Sequence, residues 1–247
     1  MKGIILAGGT GSRLFPLTKV TNKHLLPVGR YPMIFHAIAK LEEAGITDIL
    51  IVTGKEHMGD VVSLLGSGAE FGLSFTYKVQ DEAGGIAQAL GLAEQFVQGD
   101  QMVVILGDNV FADGIARYVS RFKEQGRGAK LLLQKVHDPQ RYGVPELRGD
   151  RILSIEEKPS EPKSEYAVTG IYMYDSQVFD MIRGLKPSSR GELEITDVNN
   201  AYIASEALTY DVLEQWWTDA GTHASYGKAN ELASKLLYAE KFGKMKL

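Results

Sequence analysis

The sequence predicts an α/β fold: a mainly parallel sheet flanked by helices, with a smaller mixed or antiparallel portion beyond it. Three observations carry this. Short uninterrupted apolar runs, the mark of strands buried on both faces, recur at residues 4–7, 49–53 and 102–106. Segments of helical period lie between them. From about residue 127 the strand-like runs continue with less helix between them, so the arrangement changes.

Taken in order, residues 4–7 end in Gly8-Gly9-Thr10-Gly11, a buried strand running into a loop. Ile34, Ile38 and Leu41 share one face of a helix that Gly45 closes. Residues 49–53 form a second strand, 57–65 a helix, 74–79 a strand and 86–96 a helix rich in Ala and Leu. Residues 102–106 form a third apolar strand, stopped by Gly107-Asp108. Strand-like runs follow at 129–136, 151–157 and 166–174, punctuated by Gly143-Val144-Pro145 and Lys158-Pro159. Residues 158–165 read as a loop, and 194–204 and 224–238 as helices. There is no internal repeat. One domain over residues 1–247 is expected, with a first part to about 126, a second over about 127–223 and a C-terminal helix over about 224–242.

Composition narrows the function. With 247 residues, 44% of them hydrophobic and 23% charged, the chain can bury a sizeable core without staples. The absence of cysteine excludes disulfides, Cys-ligated zinc, iron–sulfur clusters and a thiol nucleophile. It fits a reducing compartment, and a cytoplasmic location is expected. The first apolar run ends in glycines and Arg13, so no secretory leader is expected. No stretch reaches the length of a membrane span. A net charge of −4 carries no basic footprint, so neither nucleic acid nor membrane is an expected partner. Anionic ligands must be held by local groups.

Six segments offer such groups. Residues 6–13, LAGGTGSR, place glycines after a buried strand, where backbone amides can approach phosphate and where open α/β sheets bind ligands. The dinucleotide fingerprint is broken, since Leu14 stands where its last glycine belongs, and no Gly-Lys-Ser/Thr follows for a P-loop. A tight turn explains the glycines equally well, but Arg13 beside them suits polyphosphate oxygens. Lys23, in TNKHLLPV, is a second cation near the loop, or a solvated lysine. Asp108, in VVILGDN, follows a buried strand and shares the sheet edge of Gly8 and Gly9; it reads as a Mg²⁺ ligand or a turn residue. Asp219, in WWTDAGTH, reads as a second carboxylate or a loop Asp, and His223 as a packing or capping residue. In IEEKP, Glu157 and Lys158 point to opposite faces of a strand unless Lys158 lies at its end. SRGELEITD, residues 189–197, resembles a helix start.

Their conjunction and order is more specific than any one of them. GGxGxRLxPLT, KxLLPV, LGDN, RYGV, EEKPxxPKSxYAVTGxYxYD, RGELEITDVN and W-x-D-x-GTH resemble the bacterial sugar nucleotidylyltransferases, and within them the short-form glucose-1-phosphate thymidylyltransferases, from Met1 to about Tyr238. The resemblance implies the Rossmann-like nucleotide-diphospho-sugar transferase fold, with nucleotide in the first part and sugar on the smaller sheet. It implies that Leu6, Gly8, Gly9, Thr10, Gly11, Ser12 and Arg13 bind the nucleotide, with Gln80 and Gly85 reading the base. Arg13, Lys23, Asp108 and Lys158 take catalytic roles, and Asp108 and Asp219 hold Mg²⁺. Tyr142, Gly143, Glu157, Val168 and Trp217 form the hexose pocket, and Lys158 and Arg190 bind its phosphate.

The implied reaction joins dTTP to α-D-glucose 1-phosphate, giving dTDP-glucose and pyrophosphate, a first step toward dTDP-L-rhamnose and cell-surface polysaccharide. The resemblance also implies a homo-oligomer. Longer members carry a C-terminal helical segment serving a regulatory nucleotide site. This chain ends at Leu247, so weak or no inhibition by dTDP-L-rhamnose outside the catalytic cleft is expected. Rival readings are a UTP- or CTP-dependent sister enzyme, a non-catalytic nucleotide-sugar sensor and, least supported, an NAD-dependent dehydrogenase.

Overall fold

Strand β1 (Lys2–Ala7) is the centre of the architecture. Its Ile4, Ile5 and Ala7 are wholly buried, so both faces of the sheet must be covered there. The computed structural model describes residues 1–236. A short hairpin, β2 (Pro27–Val28) and β3 (Tyr31–Pro32), leads into α1 (Met33–Glu43). Then come β4 (Asp48–Gly54), α2 (Met58–Leu65), β5 (Ser74–Gln80), α3 (Ile86–Gly91), α4 (Glu94–Val97) and β6 (Met102–Leu106). The chain continues through β7 (Asn109–Phe111), α5 (Ala116–Gln125), β8 (Ala129–Lys135), β9 (Gly143–Arg148), β10 (Arg151–Glu157) and β11 (Tyr166–Tyr174). It ends in α6 (Val178–Gly184), α7 (Ile195–Ala204), β12 (Leu208–Val212), β13 (Trp217–Asp219) and α8 (His223–Ala233).

The main sheet has seven strands in the order β12-β8-β11-β6-β1-β4-β5. β1 pairs in parallel with β4 and β6, β5 with β4, and β12 with β8. β11 runs antiparallel to both β6 and β8. Alternation along β1 sends Ile5 and Ala7 to one core and Ile4 and Leu6 to the other. The first core is closed by α1, α2 and α5 through Phe35, Ile38, Val61 and Phe122. The second is closed by α3, α6 and α7 through Leu90, Phe179, Ile182 and Val198. The mainly parallel α/β core is therefore as the periodicity predicts. The strands at 129–135 and 166–174 extend that same sheet, and a separate two-stranded sheet is made by the β9–β10 hairpin.

Several elements depart from the sequence reading. The helix expected over 86–96 is two short helices, because Gly91 is a poor interior residue and the backbone tightens around Leu92. Gly143-Val144-Pro145, read as punctuation, opens β9; the strand has a partner on one side only, where proline is tolerated. α6, β7, β12 and β13 are too short to carry a clear periodic signal; α5 does carry one, with Ile115, Tyr118, Val119 and Phe122 at helical spacing among charged neighbours, and the sequence reading passed over it. The helix expected over 224–238 begins at His223 and runs to Ala233, while residues 237–242 of the expected C-terminal helix lie outside the described residues. Among the described residues no helix is long and apolar enough to cross a membrane.

Candidate active site

The carboxyl ends of β1 and β6 lie side by side, joined by a bond from the Gly107 amide to the Leu6 carbonyl of 2.9 Å. Asp108 therefore leaves the sheet next to the Gly-rich loop. Lys23 reaches the same place from a 3-10 turn, Lys23–Leu25, which Asn22 caps by accepting the His24 amide at 2.9 Å. Lys23 Nζ lies 2.5 Å from Asp108 Oδ2, and only 11% and 14% of these side chains are exposed.

Asp219 arrives from the far end of the chain. β13 pairs antiparallel with β7 in a register that sets Asp219 opposite Asn109, and the Ala220 amide donates to the Asp108 carbonyl at 2.7 Å. A side chain added at Gly221 would sit 3.1 Å from Asp219 Oδ2, 3.3 Å from Arg13 Nη2 and 3.6 Å from Asp108 Oδ2. Arg13 and the two carboxylates thus surround one point.

The electrostatics follow from this crowding. Burial pushes the Asp108 carboxyl up, but the Lys23 charge, His24 and hydrogen bonds from Lys23 and Asn109 outweigh it and hold the group below the usual carboxylate range. Asp219 is raised, first by burial and then by the Asp108 charge facing it, against the pull of Arg141. His24 is pushed down to about 3 by burial and by the adjacent Lys23, so it stands neutral in the cleft wall.

Opposite this cluster, β10 delivers Glu157. Its Oε2 accepts from Thr196 Oγ1 at 2.8 Å. Lys158 follows the strand with φ of +48°, a conformation that breaks the two-residue alternation, and its amide is held by the Tyr142 carbonyl at 2.9 Å. The side chain returns to within 3.6 Å of Glu157 Oε1. Arg190 Nη2 approaches the same oxygen at 3.8 Å and pairs with Glu194 at 2.8 Å. Tyr142 joins the two clusters: its hydroxyl donates to Asp219 Oδ1 at 3.1 Å, and its ring meets Trp217 edge-on at 5.3 Å.

A third corner belongs to Gln80 at the end of β5. It folds across Gly8 so closely that a Cβ there would lie 2.2 Å from Gln80 Oε1, while its Nε2 donates to Gln88 at 2.5 Å. Gly85 precedes α3 and is docked on the 192–194 segment by the Leu193 bonds to Gly84 and Ala87.

Asn109 ties the parts together. Its Nδ2 donates to Asp108 Oδ1 at 3.1 Å, and its Oδ1 accepts from Trp217 Nε1 at 2.6 Å and from the Gly170 amide at 2.9 Å. The Gly170 bond forms where β11 slips register between Val168 and Tyr172, an irregularity that turns the backbone toward the site. Only glycine fits: a Cβ at 170 would lie 2.6 Å from Asn109 Nδ2 and 2.7 Å from Leu106 Cγ. Gly170→Ala is expected to destabilise the fold by about 1–3 kcal/mol, as overpacking does, and to lower kcat by displacing Asn109. Denaturant melts and steady-state rates check both; wild-type values in both would refute the account.

These groups line a single cleft of about 550 Å³. Leu6, Gly8, Gly9, Arg13, Lys23, Gln80, Gly85 and Asp108 stand on it together with Tyr142, Gly143, Glu157, Lys158, Val168, Arg190, Trp217 and Asp219. Thr10, Gly11 and Ser12 do not line it; the Gly11 carbonyl is occupied by Thr18 Oγ1 at 2.9 Å. The sequence reading missed His24, Asn109, Arg141 and Thr196, which also line the cleft. Each lies inside a motif quoted above, TNKHLLPV, LGDN, RYGV and SRGELEITD, and membership of those motifs was the available signal.

The sequence model of the nucleotidyl transferase family matches residues 2–235. A glucose-1-phosphate thymidylyltransferase of Neisseria meningitidis is 43% identical over 93% of this chain and 81% of its own length. This chain belongs to the nucleotidyl transferase family, on its glucose-1-phosphate thymidylyltransferase branch. The enzyme of that name from Mycobacterium tuberculosis is 42% identical over 91% of this chain and 79% of its own. A crystal structure from Bacillus anthracis, assigned as a glucose-1-phosphate thymidylyltransferase and solved with a sucrose, superposes with a TM-score of 0.95. It is 67% identical and covers 98% of this chain and 99% of that one. A UDP-glucose pyrophosphorylase complexed with UDP-glucose shares the fold, with a TM-score of 0.86, 22% identity and coverage of 95% and 98%.

For a nucleotidyl transferase, the donor set bears on metal. Among the described residues no three His, Cys, Asp or Glu side chains gather in one shell. Two carboxylates do face one point, and Lys23 already places a cation on one of them. One or two carboxylates beside an open phosphate site is the set Mg²⁺ takes, so Asp108 and Asp219 fit it.

Proposed function

We propose that this nucleotidyl transferase moves a thymidylyl group from dTTP to α-D-glucose 1-phosphate, giving dTDP-glucose and pyrophosphate. The observation that carries the reading is the pair of cationic stations in one cleft: Arg13 and Lys23 beside the Gly-rich loop, and Lys158 and Arg190 around Glu157. Two anionic substrates can then meet without sharing a counter-charge.

A phosphate oxygen of glucose 1-phosphate attacks the α-phosphorus in line. The bond from that phosphorus to the oxygen bridging the β-phosphorus breaks, and pyrophosphate leaves with the electron pair. The attacking phosphate is already anionic, so no base is required. Lys158 and Arg190 hold it, Glu157 accepts sugar hydroxyls, and Arg13 and Lys23 balance the growing charge on pyrophosphate. Gln80, which folds across Gly8 and whose Nε2 lies 3.5 Å from the Gly85 carbonyl oxygen, would read the base together with Gly85. Mg²⁺ held by Asp108 and Asp219 would supply neutralising charge at the nucleotide phosphates.

The test is pyrophosphate release with dTTP, UTP, CTP and ATP, each against glucose, galactose and mannose 1-phosphates. The highest kcat/KM is expected for dTTP with glucose 1-phosphate. Preference for another nucleotide would move the enzyme to a sister activity, and no release with any pair would overturn the reading.

A further inference from the structure

We infer that His223 is a positioning residue that latches the Gly-rich loop onto the turn carrying Asp219, so that the two close on the nucleotide as one unit. The inference rests on the proposed reading of this cleft and deepens it.

Residues 8–20 carry Arg13 and end on an exposed shoulder of Phe15, Pro16 and Leu17. Their backbone hydrogen bonds are local: Leu14 to Gly11, Phe15 to Ser12, Leu17 to Leu14 and Lys19 to Pro16. The Thr18 hydroxyl likewise stays within the loop, on the Gly11 carbonyl. Among the described residues one hydrogen bond leaves residues 8–20 for a distant part of the chain. His223 Nε2 lies 2.9 Å from the Phe15 carbonyl oxygen. A carbonyl only accepts, so the imidazole donates, which fixes the proton on Nε2.

The other end of this bond is rigid. His223 is the first residue of α8, behind Thr222, and Thr222 and Ser225 cap the helix reciprocally without using the imidazole. The intervening turn is tied to the cleft by the Ala220 amide on the Asp108 carbonyl, and Gly221 faces Arg13, Asp108 and Asp219. One short turn thus holds Asp219 at the metal-type cluster and, four residues later, the one distant hydrogen-bonded anchor that the loop bearing Arg13 has among the described residues. The buried Leu14 side chain still ties the loop to the body when the anchor is broken, so the loop loosens at its Phe15 shoulder, and the Glu157, Lys158 and Arg190 side of the cleft stays in place.

The experiment compares His223→Ala, His223→Phe and His223→Gln. Phe keeps a ring without a donor, and the Gln amide returns a donor close to the Nε2 position. In ligand-free protein, hydrogen–deuterium exchange at the Leu14, Phe15, Leu17 and Lys19 amides is expected to quicken in Ala and Phe and to return toward wild type in Gln, with core strands unchanged. In kinetics, KM for dTTP is expected to rise roughly three- to tenfold in Ala and Phe, the range for one exposed hydrogen bond, with KM for glucose 1-phosphate within twofold of wild type. Unchanged loop exchange in both Ala and Phe overturns the latch. Equal losses in both substrates' KM, or no recovery in Gln, reduce His223 to general structure and overturn it too. Should the wild-type chain turn over no nucleotide, the functional reading fails, and the exchange arm still decides the latch.

Discussion

Asp108→Asn is expected to lower kcat by roughly 10²–10³-fold or more, the loss that follows removal of one preorganised electrostatic group. The carboxylate sits at the end of a buried strand, pairs with Lys23 at 2.5 Å and faces the point shared with Asp219 and Arg13. Asn keeps the shape and loses the charge, so Lys23 is left unbalanced and the Mg²⁺ site proposed on Asp108 and Asp219 would lose one of its two carboxylates. The fold should survive. Removing one partner of a fully buried pair costs about 3–5 kcal/mol, but Lys23 lines the open cleft and can turn to water. Single-turnover rates at saturating Mg²⁺, read beside a thermal melt, check this. Near-normal turnover would remove Asp108 from the mechanism, and a collapsed melt would make its role structural.

The second large effect separates the two cationic stations. Lys158→Ala is expected to cut kcat, KM for glucose 1-phosphate, or both, with kcat falling by roughly 10²–10³ if its contact strengthens as charge shifts in the transition state. Affinity for dTTP alone should hardly change, because Lys158 stands on the β10 side with Glu157, away from the Lys23–Asp108 pair. The backbone at 158 is kept by its own bond to the Tyr142 carbonyl. Arg13→Ala should do the reverse and weaken dTTP about 10- to 100-fold, as losing a hydrogen bond from a charged group does. Titration calorimetry with dTTP, alongside kinetics in both substrates, distinguishes them. If Lys158→Ala loses dTTP affinity as severely as Arg13→Ala, the division is wrong and Lys158 belongs to the nucleotide.

The sequence by itself determined the parallel core, because buried strands write themselves as unbroken apolar runs and the intervening helices as a repeating face. It also pointed to much of the cleft: Gly8, Lys23 and Asp108 are residue types that suit phosphate and a cation, and Glu157 and Lys158 were marked by the family resemblance of the motifs that hold them. What it left open was every relation between distant segments. Asp219 joins Asp108 only through the three-residue β7–β13 pairing and the Ala220 amide, elements too short to leave a periodic trace. Lys158 reaches the Glu157 carboxylate only because φ turns positive at the strand end, a backbone choice that side-chain pattern does not record. Nothing in the sequence singles out Asn109; its role appears only where the β11 irregularity brings the Gly170 amide within hydrogen-bond reach and the Trp217 indole donates to the same oxygen. Local pattern is set by burial, which each residue type reports; convergence is set by register and bulges, whose free energy is spread over many weak contacts and is decided only when the whole chain packs.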